Sequence, residues 1–359
     1  MRFGEPLDDE RLTSLLRPGG GIDTVITADA YGAGDADRML ARALDGVPRD
    51  SYCLVGAVGH DFYEGEREGA RGFPRFTDPR LRGPDGYASY LRMATERSLQ
   101  RCGADFFDLL LLHNPDRTGY TSEAVWDAMS ALREAGLTRS LGVAPGPANG
   151  FTLDLLDCLE RFGERIDWAM VILNPLEPWP GELSLAAARA HGVRLIARVV
   201  DYGGLFHDDV RPGHPFAEHD HRLFRPEGWI EAGAERLRRL RPIAARHGLS
   251  LLQLACLWDL AQEPVACVAP TLIQEPGPRA RAIEDKRAEL AALPAGQPLT
   301  ADELAAVRLI GDNTGSMLLK GATPDHEGEP RPDRWAVSAE LGAVAARWGI
   351  DPERDLARI

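Results

Sequence analysis

Two residues that could move a proton follow strand-like apolar runs in this 359-residue chain. Tyr31 lies in the segment 28-ADAYG-32, and His113 ends the run 107-FDLLLLH-113. A tyrosine hydroxyl, with a pKa of about 10, can donate a proton to a developing oxyanion, and a histidine, with a pKa of about 6.5, can give or take one near neutral pH. We therefore predict that both act as acid/base or substrate-orienting groups. The alternative is that they only pack and form hydrogen bonds.

Four more side chains lie near the ends of strand-like runs and could complete such a site. They are Asp29, Arg198, Asp201 and Tyr202. An alternative interpretation makes Asp29 a turn residue and joins Arg198 and Asp201 in a structural ion pair.

The stretch 207–222 is rich in the nitrogen and oxygen side chains that bind zinc and similar metals. Its candidate ligands are His207, Asp208, Asp209, His214, His219, Asp220 and His221. A solvated loop explains the same composition, and the acidic segment 324-PDHEG-328 is a weaker candidate. The five cysteines include no CxxC pair, so we predict no metal site and no disulfide framework.

The segments around these residues alternate between short apolar runs and amphipathic stretches. This pattern predicts parallel strands joined by helices, in a fold whose functional residues lie at the carboxyl ends of the strands. The predicted strands are 23–27, 51–59, 107–113, 139–143, 168–173, 193–200 and 264–270. The predicted helices are 35–46, 88–103, 122–136, 151–163, 183–192, two within 228–261, 301–311 and 338–348.

Glycines mark the predicted ends of several helices. We expect left-handed backbone at Gly46, Gly103, Gly136, Gly163 and Gly192, since glycine adopts it most easily. The Pro-rich and Arg-rich stretch 276–298 is predicted to be a long exposed loop.

The overall charge restricts the class of partner. A formal net charge of −14 repels phosphate backbones and anionic headgroups, which favours a small-molecule substrate over nucleic acid or a membrane. The sequence has no apolar run near the roughly 18 residues of a membrane span and no signal-peptide pattern at residue 1. We predict a cytoplasmic protein, with a homo-oligomer left open.

Five segments in order resemble aldo-keto reductases. They are 29-DAYGAGDADRMLARAL-44, 97-RSLQRCGADFFDLLLLHNPD-116, 132-LREAGLTRSLGV-143, 193-VRLIARVVDYGGLF-206 and 247-HGLSLLQLACLWDLA-261. The resemblance implies an α/β fold, the (β/α)8 TIM barrel, over residues 1–311. The family's first strand precedes an FG pair that here is already at 3–4, so we expect that strand to be short or missing. Residues 312–359 are predicted to form a C-terminal extension packed on the barrel.

The resemblance also implies four catalytic positions. The family's tyrosine protonates a carbonyl oxygen, a lysine paired with an aspartate lowers the pKa of that tyrosine, and a histidine orients the carbonyl. Tyr31 and His113 match, but Ile26 and Ala57 stand where the aspartate and lysine are expected. Losing only one member of a buried ion pair would leave an unpaired charge at a cost of about 3–5 kcal/mol. Losing both members avoids that cost, so the absence of the aspartate and of the lysine is consistent. Without the lysine, Tyr31 is expected to keep a pKa near 10 and to be a weaker acid.

The cofactor implied by the resemblance is NADP(H). Several of the positions that bind it in the family are altered here, so the alternative is a protein that binds no cofactor. Ala144 and Pro145 replace the serine and asparagine that hold the nicotinamide carboxamide. Met170 replaces a glutamine, and Arg198 replaces the aromatic side chain under the nicotinamide ring. The remaining candidates for cofactor binding are Asn174, Thr271, Arg279 and Arg281, the arginines toward a 2′-phosphate.

These observations favour a superfamily enzyme that acts on a small polar carbonyl or hydroxylated substrate by acid/base chemistry, such as elimination or epimerisation. The first alternative is an NADP(H)-dependent carbonyl oxidoreductase with an altered site. The second is a non-catalytic barrel that serves as a partner subunit or a sensor.

Overall fold

Seven parallel strands form one curled sheet in which spatial order follows chain order. The structure, a computed structural model, describes residues 3–68, 72–146, 151–218, 220–225, 227–314 and 337–356. The strands are β1 (Thr24–Ile26), β2 (Cys53–Val58), β3 (Phe107–His113), β4 (Thr138–Ala144), β5 (Trp168–Ile172), β6 (Arg194–Arg198) and β7 (Val265–Ala269). All seven predicted strands are confirmed, with ends that differ by at most two residues.

Helices connect the strands and cover the outer face of the sheet. They are α1 (Asp9–Leu16), α2 (Asp35–Leu44), α3 (Tyr87–Cys102), α4 (Arg117–Thr121), α5 (Glu123–Glu134), α6 (Thr152–Phe162), α7 (Leu185–Ala190), α8 (Trp229–Arg246), α9 (Leu251–Leu260), α10 (Ile283–Ala291), α11 (Ala301–Ile310), α12 (Ala339–Arg347) and α13 (Pro352–Asp355). Every helix that the sequence predicted is present. The helices α1, α4, α10 and α13 were not predicted.

The sheet has two edges in the described part of the chain. β1 pairs only with β2, and β7 pairs only with β6. The segment before α1 adds no strand; instead, the Gly4 amide donates to Asp220 Oδ2, and the Glu5 amide donates to the Gln274 carbonyl beyond β7. The curled seven-stranded sheet of the described residues is consistent with the predicted (β/α)8 barrel, and the short or missing first strand stays a prediction.

Alternation along the strands separates two apolar cores. Leu110 and Leu112 of β3 pack outward against helices, whereas Leu109 and Leu111 point into the curl of the sheet. The inner cluster consists of Ala28, Val55, Ala57, Leu109, Leu111, Ala144, Met170 and Ile196. Because side chains alternate with a period of two, His113 on β3 and Arg198 on β6 continue the inner rows at the mouth of the curl.

One predicted helix end differs from expectation. Gly46, Gly103, Gly136 and Gly192 have the predicted left-handed backbone, with φ between 66° and 75°. The prediction is wrong for Gly163, where φ is −54° and the chain continues into a 3₁₀ turn. A Cβ at this position would lie 2.8 Å from the His191 side chain, so close packing favours glycine here.

The stretch 276–298 is not the exposed loop that its composition predicted. Residues Ile283–Ala291 form α10, which buries Ile283 and Lys286. Lys286 Nζ donates to the Ile273 carbonyl at 2.6 Å and pairs with Asp209 at 2.7 Å. These buried partners, which are distant in sequence, hold the helix to the end of the sheet.

The C-terminal residues that the structure describes lie against the barrel. α12 packs on α6 through buried Leu341, Val344 and Ala345. Trp179 Nε1 donates to the Asp355 carbonyl at 2.5 Å, which holds the end of the described chain. The division at residue 312 stays a prediction.

In the described residues, no helix is both long enough and apolar enough to span a membrane.

Candidate active site

Tyr31 and His113 meet at the mouth of the curled sheet. Their rings lie edge to face, with centroids 5.6 Å apart and an interplanar angle of 84°. Tyr31 begins a 3₁₀ turn between β1 and α2 and is 49% exposed, whereas His113 ends β3 and is 8% exposed. One half-exposed tyrosine and one buried histidine therefore meet at the mouth of the sheet.

A second histidine, which sequence reasoning missed, packs against this pair. The ring of His60 lies 4.9 Å from that of His113. Its Nδ1 is 3.1 Å from the Phe73 carbonyl oxygen and 3.0 Å from Arg75 Nη1, and its Nε2 is 3.2 Å from Asn114 Nδ2. The signal was available, since His60 follows the end of β2 in 56-GAVGH-60.

Both histidines are neutral at pH 7. Burial and then the charge of Arg75 lower the pKa of His60 to about 4. Burial, followed by the positive charges of His60, Arg75 and Arg198, lowers the pKa of His113 well below its usual value. The Nδ1 atom of His113 is buried and has no hydrogen-bond partner in the described chain. His113 can thus serve as a neutral hydrogen-bonding group or a base, but not as a standing cation.

The cation that acts on Tyr31 is Arg198. Partial burial raises the pKa of Tyr31, and the charge of Arg198 opposes that increase. The hydroxyl consequently stays protonated at neutral pH. Arg198 is thus a cation near Tyr31 in a site where the family's lysine is missing.

Arg198 makes hydrogen bonds only to backbone within the described residues. Its Nη2 donates to the carbonyl oxygens of Pro145 and Gly146, both at 3.1 Å. Burial lowers its pKa. The suggested ion pair with Asp201 is wrong, because that carboxylate accepts from the amides of Gly204 (2.9 Å) and Thr271 (2.7 Å) instead.

Two other tentative site residues lie away from the mouth. Asp29 is fully buried behind β1, where burial and then Asp37 raise its pKa and Arg101 opposes this. Tyr202 is buried against Trp229, with ring centroids 6.0 Å apart, and under Arg225. Of the four tentative residues, only Arg198 joins Tyr31 and His113.

The first candidate cofactor residue, Asn174, is held in hydrogen bonds within its own turn. The Asn174 amide bonds to Glu177 and the Val199 carbonyl, and its oxygen accepts from the amides of Leu176 and Glu177. Asn174 would have to break this turn to reach a ligand. Its role in cofactor binding stays a prediction, as do those of the three residues that follow β7.

Those three residues have different surroundings. The backbone of Thr271 donates to Asp201 and accepts from His207 Nε2. Arg281 bonds to the His207 carbonyl and pairs with Glu289 at 2.5 Å. Arg279 is exposed and has no ion pair with a described residue.

The histidines and aspartates of 207–222 are mostly engaged with other partners. His214 lies 3.0 Å from Glu275, Asp220 pairs with Arg222, and Asp208 pairs with Arg241. Across the described ranges, no group of three or more His, Cys, Asp or Glu side chains is arranged to hold a metal. His219 and the segment 324–328 lie outside the described residues.

A family model described as the aldo/keto reductase family matches residues 18–276. Among curated proteins, the 6-dehydroglucose reductase of Agrobacterium fabrum is 31% identical over 126 residues, which are 34% of this chain and 39% of that protein. An aldo-keto reductase of Mycolicibacterium vanbaalenii is 34% identical over 145 residues, which are 40% of this chain and 43% of that protein. The matched regions thus span less than half the length of these relatives.

Solved structures share the fold over most of the chain. The glycerol dehydrogenase of Gluconobacter oxydans has a TM-score of 0.65 at 21% identity, with 91% of each chain covered. The holo form of an aldo-keto reductase from Bacillus halodurans has a TM-score of 0.58 at 22% identity, covering 89% of this chain and 91% of that one.

Proposed function

Because the chain belongs to the aldo/keto reductase family, we propose that it is an enzyme that acts on a small polar carbonyl or hydroxylated substrate between Tyr31 and His113. The observation that carries this proposal is the edge-to-face Tyr31–His113 pair with Arg198 beside it. A protonated phenol, a neutral imidazole and a fixed cation are the groups needed to polarise a carbonyl and move a neighbouring proton.

The reaction we propose is proton transfer, such as elimination or epimerisation. Tyr31 donates to the substrate oxygen, and the positive field of Arg198 stabilises the negative charge that develops there. His113, neutral because of its lowered pKa, takes the proton from carbon or oxygen. Ile26 and Ala57 at the ends of β1 and β2 supply no charge to this chemistry.

The residues at the mouth do not fit a nicotinamide ring well. Arg198 stands where the resemblance places a stacking aromatic, and a fixed positive charge there disfavours an oxidised, positively charged ring. The carbonyls of Pro145 and Gly146 are bonded to Arg198, and the Asn174 amide is bonded within its own turn. No step of the proposed reaction therefore uses a nicotinamide.

A second candidate function is an NADP(H)-dependent carbonyl oxidoreductase. Relatives that carry reductase names favour it, and so does the exposed Arg279 beyond β7, whose guanidinium is available to a phosphate.

Titration of the purified chain with NADPH and NADP⁺, followed by fluorescence or calorimetry, separates the two candidates. We expect no binding up to millimolar cofactor. Micromolar binding, about −8 kcal/mol, would favour the oxidoreductase and contradict the cofactor-free reaction.

Proton exchange tests the acid/base reaction itself. Without any cofactor, the chain should exchange carbon-bound protons of small hydroxyketones and hydroxyacids in D2O, measured by NMR. Tyr31→Phe and His113→Gln should each slow this exchange by about 10²–10⁴-fold. Exchange that both variants leave unchanged would favour the non-catalytic barrel.

A further inference from the structure

The backbone that carries Arg198 is strained at the next residue. β6 ends at Arg198, and Val199, which follows it, has a φ of 60°. A β-branched residue rarely adopts this left-handed conformation, because its Cβ crowds the neighbouring backbone. Such a conformation persists only where surrounding contacts hold it, so a contact of Val199 must do so.

Asn174 supplies that contact from the end of the neighbouring strand. It follows β5, which pairs with β6, and its Nδ2 donates to the Val199 carbonyl at 3.0 Å. The asparagine is fully buried, and the same nitrogen also donates to Glu177 Oε2 at 3.0 Å. Its Oδ1 accepts from the amides of Leu176 and Glu177, both at 2.9 Å. These bonds fix the orientation of the amide that holds Val199.

The other contacts of this turn come from within it and from the β7 side. The Tyr202 amide donates back to the Val199 carbonyl at 2.9 Å, and the Asp201 carboxylate accepts from the Thr271 amide at 2.7 Å. Among the side chains of the described residues, Asn174 alone bonds to the Val199 carbonyl. Asn174 is therefore the side chain that ties the end of β6 to the end of β5.

We propose that Asn174 is a positioning residue, which holds Val199 in its left-handed conformation and thereby keeps the Arg198 guanidinium beside Tyr31. Without the bond from Nδ2, Val199 relaxes to an ordinary φ and the end of β6 turns. The guanidinium itself donates to two backbone carbonyls beyond β4, so its place depends on the backbone that carries it. The inference rests on the proposed function only in the use that the reaction makes of Arg198.

The ionisation of Tyr31 reports the place of Arg198 without any substrate. Burial raises the pKa of Tyr31 and the charge of Arg198 opposes that increase, so displacement of Arg198 should raise this pKa further. Fluorine NMR of the full chain containing 3-fluorotyrosine follows the ionisation, because fluorine moves the pKa of a phenol toward neutral pH. Tyr31→Phe identifies the resonance among the seven tyrosines. Arg198→Met gives the increase in pKa for complete loss of the cation.

Asn174→Ala should raise the pKa of Tyr31, as Arg198→Met does. It should also slow proton exchange by about 10–10²-fold, since a displacement of about 1 Å in an active site can cost that much. The matched control is Asn313→Ala, which removes another buried asparagine, one bonded to the amide and carbonyl of Trp179. The control should leave the pKa of Tyr31 unchanged. A wild-type Tyr31 pKa in folded Asn174→Ala would overturn the proposal.

Glycine at position 199 separates positioning from packing. Glycine takes a φ of 60° without strain, so the double variant Asn174→Ala/Val199→Gly has no tendency to relax. It should recover most of the wild-type Tyr31 pKa and exchange rate, although it still lacks the bond between Asn174 and Glu177. A double variant that behaves as Asn174→Ala does would show that Asn174 only packs, and the positioning role would be refuted.

The test stays decisive if Asn174→Ala does not fold. A folded double variant with the wild-type pKa of Tyr31 then supports the positioning role, whereas a double variant that is also unfolded counts against it. Failure of the proposed function gives a different result. Absence of proton exchange in the wild type would sink that function, while a raised Tyr31 pKa in Asn174→Ala would still support this inference. Exchange in a chain whose Tyr31 pKa ignores Asn174 would do the reverse.

Discussion

At the scale of single residues, the site is defined by groups that burial keeps neutral. Tyr31 and His113 could be found from sequence because each follows a strand-like run. The outward position of Asp29 was missed although alternation continues past the end of β1: Ala28 lies in the inner cluster, and Asp29 lies on the opposite side, near Asp37. The hydrogen bonds of Asn174 within its own turn were equally hidden, although an asparagine before proline often begins a turn.

The lowered pKa of His60 should make the protein sensitive to acid. Its pKa is about 4 in the fold and about 6.5 in the unfolded chain, so only the unfolded state takes up the proton as the pH falls below 6.5. Between pH 7 and pH 5 this histidine should cost about 2 kcal/mol of folding free energy. Urea denaturation should show that His60→Gln loses correspondingly less stability than the wild type over this range.

Partly buried His191, which lies on the far side of the molecule's sheet next to Trp348, is the control, and His191→Gln should follow the wild type. Parallel behaviour of wild type and His60→Gln would contradict the assigned environment of His60.

Asp29 should weaken the fold at neutral pH. Its raised pKa means that the unfolded chain releases the proton more readily, so stability falls as the pH rises above about 3.9. Asp29→Asn should therefore raise the denaturation midpoint at pH 7 and leave proton exchange intact. The exposed Asp35→Asn is the control. If Asp29→Asn lost proton exchange while Asp35→Asn kept it, Asp29 would be part of the active site.

At the scale of elements, apolar periodicity predicted most strands and helices because one face of each is buried. Apolar periodicity failed to predict α10, where a charged side chain is buried in place of an apolar one. Lys286 lies in a charged run and looks exposed in sequence, yet it is fully buried on Asp209 and the Ile273 carbonyl. A partner 77 positions away leaves no local signal.

A buried network of ion pairs and hydrogen bonds joins three segments. They are the segment after β6, the segment after β7 and the segment before β1. Arg222 pairs with Asp220 at 2.7 Å and with Glu275 at 2.6 Å, and Asp220 also accepts from the Gly4 amide. Arg222→Met should cost about 3–5 kcal/mol, because it leaves two buried carboxylates without their cation. Chemical denaturation measures the loss.

The matched control for that network is Arg38→Met, which breaks an exposed pair with Asp35. It should change stability by less than about 1 kcal/mol. Similar midpoints for Arg222→Met and Arg38→Met would show that the network does not stabilise the fold.

At the scale of the whole molecule, the family resemblance predicted the fold class. How the remaining chain organises the two sheet edges could not be predicted. Phe3–Glu5 lie near the segment beyond β7 because of single hydrogen bonds to residues more than 200 positions away. Such contacts depend on tertiary structure that no local pattern records.

The C-terminal extension should stabilise the barrel. Leu341, Val344 and Ile350 bury apolar surface, which is worth about 1.5–3 kcal/mol for each fully buried side chain. Deleting 337–359 should therefore lower the free energy of unfolding by several kcal/mol. Urea denaturation measures this loss.

Glu340→Gln separates packing from surface charge in that experiment. It weakens only half-exposed ion pairs with Arg117 and Arg161, so it should cost less than about 1 kcal/mol. If the deletion instead leaves the denaturation midpoint at the wild-type value, the extension does not stabilise the barrel.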